Sequence, residues 1–309
     1  MSILNSQSKK EDIDLIDLLK FFWIDRYKIL SIMVLIVASS LLYSLSLPNI
    51  YTSSVTLAPN SEDKSLPSLG SYSALAGIAG IGIPGESGSK SAEAIERLQS
   101  LEFFERHFLP NINLEDIFAV KSWNSVTDYI EYDNSLFNSN KNIWVRKVDL
   151  PYKSKPSSQE AYKIYRDIFS LSEDKNTQFV TLSIEHQSAN LANEWLKIIV
   201  KNINESMRHL DQERAKDAIN FLNNEAQKTK LSELNNAIGQ LLESQMQTLM
   251  MTSISEEYVY KVLRASYASE VKSSPNRFSI LILSIFLGII LGCLFSIFNY
   301  IKFKRLHDD

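Results

Sequence analysis

Ile29–Leu47, ILSIMVLIVASSLLYSLSL, runs 19 residues without a charge, and Phe278–Ile301, FSILILSIFLGIILGCLFSIFNYI, runs 24. At ~1.5 Å of rise per helical residue these stretches extend roughly 28 and 36 Å, and the hydrocarbon core of a bilayer is about 30 Å thick. A charge at the centre of a spanning helix costs about 2.5–3.5 kcal/mol on insertion scales, so charge-free runs of this length predict two transmembrane helices. Two spans place both ends of the chain on one side of a membrane and the 230 residues Pro48–Arg277 on the other. Function then falls to the enclosed segment and to the helices that hold it.

Basic residues beside the spans set the orientation. Arg26 and Lys28 abut the first run, with Lys9, Lys10 and Lys20 upstream, and Lys302, Lys304 and Arg305 follow the second. On the enclosed side the first base after run one is Lys64, while Lys272 and Arg277 stand before run two. The balance predicts cytoplasmic termini. A cleaved leader is the poorer reading of the first run. Five acids (Glu11, Asp12, Asp14, Asp17, Asp25) precede it, and no small-residue cleavage site followed by a soluble stretch stands out.

The enclosed segment holds 24 basic and 29 acidic residues. That balance gives no strongly positive face and argues against nucleic acid as a partner. Cys293, the only cysteine, lies inside the second run, so the enclosed segment has no disulfide and must be stabilised by packing and assembly. The four histidines (His107, His186, His209, His307) are scattered, without a second ligand at metal spacing, and no metal site is expected.

Ile13, Ile16, Leu19 and Trp23 recur at helical steps, so Asp12–Tyr27 reads as an interfacial helix entering the membrane. Tyr51–Leu57 alternates and carries Thr and Val, which predicts a strand ended by Ala58-Pro59. Ser61–Ser91 follows as a loop holding six of the nine glycines. A helix is expected from Ser91 through Phe103, Phe104 and Phe108 to Pro110. Trp123–Phe137 reads as helical or irregular, and Ile143–Val148 as a strand. Ser157 and Glu160 have the spacing of a capping box, opening a helix over Ala161–Phe169. Phe179–Glu185 is the clearest strand.

From Ser157 to Ser274 there is no proline and only one glycine, Gly239. Proline costs a helix interior about 3 kcal/mol and glycine about 1, so this stretch permits long helices. Leu191, Trp195, Ile199, Ile203, Met207 and Leu210 keep helical spacing, and Ala215, Leu222, Leu234, Ile238 and Leu241 continue it. The pattern predicts an amphipathic rod over about 189–270, too long for a compact domain, whose stripe must meet another helix or another protomer. Leu249–Ile254 is the expected tip or bend, with Glu256–Val271 returning as a further helix.

No catalytic set emerges. Gly80–Ser91 has the look of a phosphate loop, but Pro84 and Ser89 stand where its glycines are needed. No Gly-x-Ser-x-Gly occurs, and no nucleophile and base can be paired from spacing. Catalytic, cofactor-binding and metal residues are therefore expected to be absent. Gly288 and Gly292 stand four apart in the second run, a spacing that lets helix backbones approach closely in lipid. Pro275 fixes the chain as it enters the bilayer, and a plain helix start would also account for it. These three are the candidate residues for transmembrane association.

This layout resembles the chain-length determinant (Wzz-type) polysaccharide co-polymerases of bacterial inner membranes. Asp12–Lys20 resembles the family's entry segment, Tyr51–Pro59 its first strand, and Ser188–Trp195 the start of its long helix. Pro275 with the glycines of the second run resembles its proline-rich second-span region. Only one proline remains there, so proline-dependent roles pass only to Pro275. The resemblance implies an α+β membrane protein with a periplasmic α/β base and a long helical extension, assembled as a ring of protomers. It divides the chain into a cytoplasmic segment 1–28, a first span 29–47, a periplasmic domain 48–277, a second span 278–301 and a cytoplasmic tail 302–309.

It also implies a non-enzymatic regulator that sets the modal length of O-antigen or a related polysaccharide made by a separate polymerase. The partners implied are that polymerase, the lipid-linked polysaccharide and the inner membrane. A different class of function is a structural component of a capsule or exopolysaccharide export assembly working with a separate tyrosine kinase. The eight residues after the second run leave no fused kinase to expect and no output domain of a two-span sensor.

Overall fold

A computed structural model describes residues 23–60, 87–228 and 232–307. The entry segment before residue 23 and the glycine-rich stretch 61–86, where most of the phosphate-loop likeness lies, fall outside the described residues. The chain divides into two compact units, Met1–Asn49 with Ser273–Asp309, and Ile50–Lys272.

The first unit holds α1 (Arg26–Ser46) and, at the far end of the chain, the last helix, Arg277–His307. Both are apolar all round, the pattern of a helix buried in a core or in lipid. Arg26–Ser46 and Arg277–Ile301 are long and apolar enough to cross a membrane. They pack against each other, yet Leu42 and Leu283 remain about 70 % exposed (71 % and 70 %), so most of the apolar surface faces outward.

The second unit is built on β1 (Tyr51–Pro59). Ser53, Val55 and Leu57 are buried at every second position while Thr52, Ser54 and Thr56 are not. This is the period of a strand with one face in a core. Downstream come α2 (Ser87–Leu98), a run of tight turns over 101–111 with one π turn, and α3 (Leu114–Phe118). Two small hairpins follow, β2 (Val120–Asn124) with β3 (Tyr129–Tyr132) and β4 (Phe137–Asn138) with β5 (Ile143–Trp144). The helix read for residues 91–110 therefore breaks at Leu98, where Ser100 caps a new turn by accepting from the Phe103 amide.

α4 (Ser158–Ile168) opens with the expected capping box. The Ser157 side chain accepts from the Glu160 amide, and Glu160 accepts from that of Ser157. β6 (Phe169–Glu173) and β7 (Val180–His186) then complete three strands of a four-stranded antiparallel sheet ordered β6-β7-β1-β8, with β8 at Tyr260–Arg264. Val55 pairs with Leu182 and Leu57 with Val180, so their buried faces coincide. On the other face Ser54 and Ser183 share a hydrogen bond of 2.8 Å. The core fills the apolar face with Phe104, Phe108, Tyr165 and Trp195, all essentially sealed from solvent. The Phe104 and Tyr165 rings stand 5.0 Å apart, and Trp195 lies edge-on to Phe108 at 5.7 Å.

The long rod is two helices, α5 (Ala189–Lys228) and α6 (Ser232–Ile254), which pack antiparallel. At ~1.5 Å per residue they are roughly 60 and 35 Å long. The near half of α5 lies on the sheet through Trp195, Leu196, Ile199 and Ile203, and the far half meets α6 through Leu222, Ile238 and Leu241.

Three expectations are corrected here. Leu249–Ile254 is no bend; it is the last turn and a half of α6, and of the two helices α5 ends at Lys228 and α6 begins at Ser232. Glu256–Val271 is not a helix, because its Tyr260–Arg264 stretch enters the sheet as β8. The buried Asn204 side chain on α5 holds it there, accepting from the Val259 and Tyr260 amides at 2.8 and 2.9 Å. Trp123 and Tyr129 stand on a hairpin closed by a turn in which Asn124 accepts from the Val126 amide and Trp123 donates to Asp128. That local polar bonding supplies what a helix would have supplied.

Candidate functional site: the helix pair and the outer edges of the sheet

In the first unit the last helix is α7 (Arg277–His307). A β-carbon on Gly288 would lie 2.9 Å from Met33 Cα, and one on Gly292 would lie 2.7 Å from Ile29 Cγ2 and 3.2 Å from Ile29 Cα. The glycine pair thus admits the backbone of the chain's own first helix. The four-residue spacing signalled a close approach, but spacing alone does not name the partner helix. Pro275 lies two residues before α7, after a cis Ser274–Pro275 peptide. The cap itself is Asn276, whose side chain accepts from the Ser279 amide at 3.3 Å.

The sequence reading missed a polar contact in register with the glycines. Asp25 is 4 % exposed, pairs with Lys28 at 2.8 Å and accepts from Ser296 Oγ at 3.4 Å. Ser296 lies four residues beyond Gly292, as Asp25 lies four before Ile29. The signal was an acid one helical turn before an apolar run, where an ionised group is costly unless it has partners. At the other end of the pair Arg277 donates to Asn49 Oδ1 at 3.2 Å.

In the second unit the buried polar groups act as braces. His186 Nδ1 accepts from the Ser188 amide, so Nε2 carries the proton and donates to the Asp116 carbonyl at 2.9 Å. Burial pushes the imidazole pKa down, consistent with that neutral form. Asp116 also accepts from the Tyr132 hydroxyl at 2.6 Å. Burial and then the Asp116 carboxylate push this phenol up. Burial raises Glu93, but Arg97 and Arg214 outweigh it and hold the carboxyl below the ordinary value, tying α2 to α5. Lys90, Asp211 and Tyr258 form a second tie, with Tyr258 donating to Asp211 at 2.7 Å. Burial lifts the Tyr260 phenol to about 12. These groups are held by protein partners on several sides, and the arrangement fixes elements to one another. Among the described residues no three His, Cys, Asp or Glu side chains are placed to hold a metal ion.

The sheet ends at β6 on one side and β8 on the other. Beside β8 an open groove of about 620 Å3 runs along α5, floored by Val55, Val200 and Val262 and flanked by Lys197, Lys201 and Arg208. Glu205, Glu256 and Glu257 share its rim.

Residues 11–108 match the family model of Wzz, the chain length determinant protein. This is the family that the sequence resembles, and the matched stretch carries α1, β1 and α2. Among solved structures the chain is similar to a "full-length bacterial polysaccharide co-polymerase". Sequence identity is 14 %, the TM-score is 0.42, and the alignment covers 94 % of this chain and 99 % of that one. No curated protein matches the chain.

Proposed function

We propose that this protein regulates the length of a bacterial surface polysaccharide, O-antigen of lipopolysaccharide, as a non-enzymatic co-polymerase. The observation that carries the reading is the family match over residues 11–108, which falls on the first span-length helix and the first strand of the base. The second span-length helix at the far end of the chain gives the base two membrane ties. The protein sits in the inner membrane, with its bulk in the periplasm and both termini in the cytoplasm. It works as a homo-oligomeric ring beside a separate polymerase and its lipid-linked polysaccharide. Bond formation belongs to that polymerase; an assembly that surrounds it changes how long elongation continues, not whether sugars join.

The test is a gel of surface polysaccharide from a strain lacking the gene. The reading expects clustered modal bands to give way to a broad spread of lengths. Total loss of polymer would overturn it in favour of an obligatory component of a capsule or exopolysaccharide export assembly.

A further inference from the structure

One end of the base, its foot, is where the chain enters the sheet and where it leaves again. β1 begins at Tyr51, five residues after the last residue of α1, Ser46. The returning chain runs beside the start of β1. Ser53 donates to the Tyr267 carbonyl at 2.8 Å, and Ser266 donates to Asn193, near the start of α5, at 2.7 Å. Val271 then stands six residues before Arg277, where α7 opens. The hairpin of β2 and β3 is fastened at this same end. Gln187, just past the end of β7, donates to the Val120 carbonyl at 3.0 Å, and the Trp123 ring meets that of Tyr51 edge-on at 5.1 Å. The hairpin tip, Asn124–Asp128, is braced by its own polar groups. Asn124 accepts from the Val126 and Thr127 amides, and Trp123 donates to Asp128 at 2.8 Å. These bonds hold Val126 out at 92 % exposure. Turns favour glycine, asparagine, aspartate and serine, so folding does not call for a β-branched apolar residue there. Tyr129, Tyr267 and Val271 are exposed as well.

We propose that the foot of the base rests on a lipid surface: the β2–β3 hairpin sets Val126 into the bilayer at the level of the headgroups, with Trp123, Tyr129 and Tyr267 at its rim. The proposal rests on the two-span reading above and adds a contact made by the base itself. Continuity of the chain argues for lipid as the occupant. Five and six residues of chain reach at most about 18 and 22 Å when fully extended, which keeps the foot at the bilayer that the two spans cross. Tryptophan and tyrosine favour the membrane–water boundary, because each has an apolar ring and a polar tip. The charges on the hairpin already have partners: Lys121 pairs with Glu131 at 2.8 Å, and Asp128 accepts from Trp123. The contact therefore works by insertion of apolar side chains and needs no anionic lipid. Its effect is on orientation. Two covalent ties leave the base free to rock about the line that joins them, and a third point of contact stops that rocking.

The experiment uses the full chain in vesicles of phosphatidylethanolamine and phosphatidylglycerol, with Cys293→Ser removing the native thiol. One cysteine carrying a polarity-sensitive dye is introduced as Ser125→Cys on the tip, as Lys175→Cys in the turn between β6 and β7 at the opposite end of the sheet, or as Leu42→Cys on α1. Each is read with and without nitroxide-labelled lipid. The dye at residue 125 should emit to the blue of its value in water and be quenched by the nitroxide lipid, and the dye at residue 175 should show neither. Val126→Asp should abolish the quenching at residue 125, and Val126→Leu should preserve it. Val126 is exposed, so neither change should disturb the fold, which circular dichroism checks. Three results at residue 125 would overturn this surface alone, provided that residue 42 is still quenched. They are water-like emission, quenching indifferent to Val126→Asp, and a blue shift without lipid quenching, the mark of a second protein covering the tip. Absence of quenching at residue 42 as well would overturn the two-span reading together with it.

Discussion

The near and far halves of α5 are one continuous helix in two different environments. The near half is pressed against the sheet by Trp195, Leu196, Ile199, Ile203 and Met207, and a buried asparagine on it, Asn204, fixes β8. The far half meets α6 through a small cluster of Leu222, Ile238 and Leu241 with partly buried alanines. Outside that seam Phe221, Met246, Met250 and Ile254 are 49, 55, 60 and 79 % exposed. The hairpin also encloses Ser244, Gln245 and Thr252 along its seam. Helical stability in proteins comes mainly from burying an apolar face, so equal helicity in the two halves does not mean equal stability. The base core closes within the chain, while the rod leaves apolar side chains exposed.

The largest break in this comparison is expected at Trp195. Trp195→Ala removes the largest buried side chain, which touches Phe108 and His186, and should cost about 3–5 kcal/mol in denaturant unfolding of the full chain in detergent. A loss below about 1 kcal/mol would mean that the base core relaxes around the void as a loosely packed one would. Leu241→Ala acts on the smaller seam, where fewer neighbours lose contact. It should cost about 2 kcal/mol, at the low end for such a truncation, and loosen α6 without unfolding the sheet. Circular dichroism showing the base unfolding in step with α6 would erase the distinction between the halves.

Two glycines sharpen the contrast from opposite sides. At Gly288 a methyl group would press on the Met33 backbone, so Gly288→Ala should force α1 and α7 apart at a cost of about 1–2 kcal/mol. Spin labels on the two helices would report a longer separation; an unchanged distance would leave that glycine without a packing role. Gly239 on α6 has no atom within 4 Å of where a β-carbon would stand. Gly239→Ala should therefore stabilise the rod by up to about 1 kcal/mol through helix propensity alone. A destabilised variant would show that something packs closely there.

What the sequence made legible was whatever depends on local pattern. The apolar runs, the alternation of Tyr51–Leu57 and Phe179–Glu185, and the Ser157–Glu160 capping box each report their own structure within a few residues. What it hid depends on partners distant along the chain. Tyr260–Arg264 lacks glycine and proline and so continued the helical reading, yet its residues meet the open side of β1, and the Tyr260 amide meets the Asn204 side chain, more than fifty residues upstream. Trp123–Phe137 was obscured in a different way. Its strands are four or five residues long, and the turn between them has Asp128 at φ 52°, a conformation that asparagine and aspartate tolerate but a periodicity scan does not register. In the candidate site, the Gly288–Gly292 spacing was readable. Their meeting with Met33 and Ile29, and the Asp25–Ser296 contact beyond them, required the register of two helices some 250 residues apart.

Hydrogen exchange of the full chain in mild detergent, in the proposed oligomer and after dilution to single chains, tests the central contrast most directly. Amides of β1, β7 and the near half of α5 should keep their protection in both states, because their partners lie within one protomer. Amides of α6 should lose protection on dissociation. Protection of α6 that equals that of β7 in the dissociated chain would contradict the account, because the rod would then be as self-sufficient as the base.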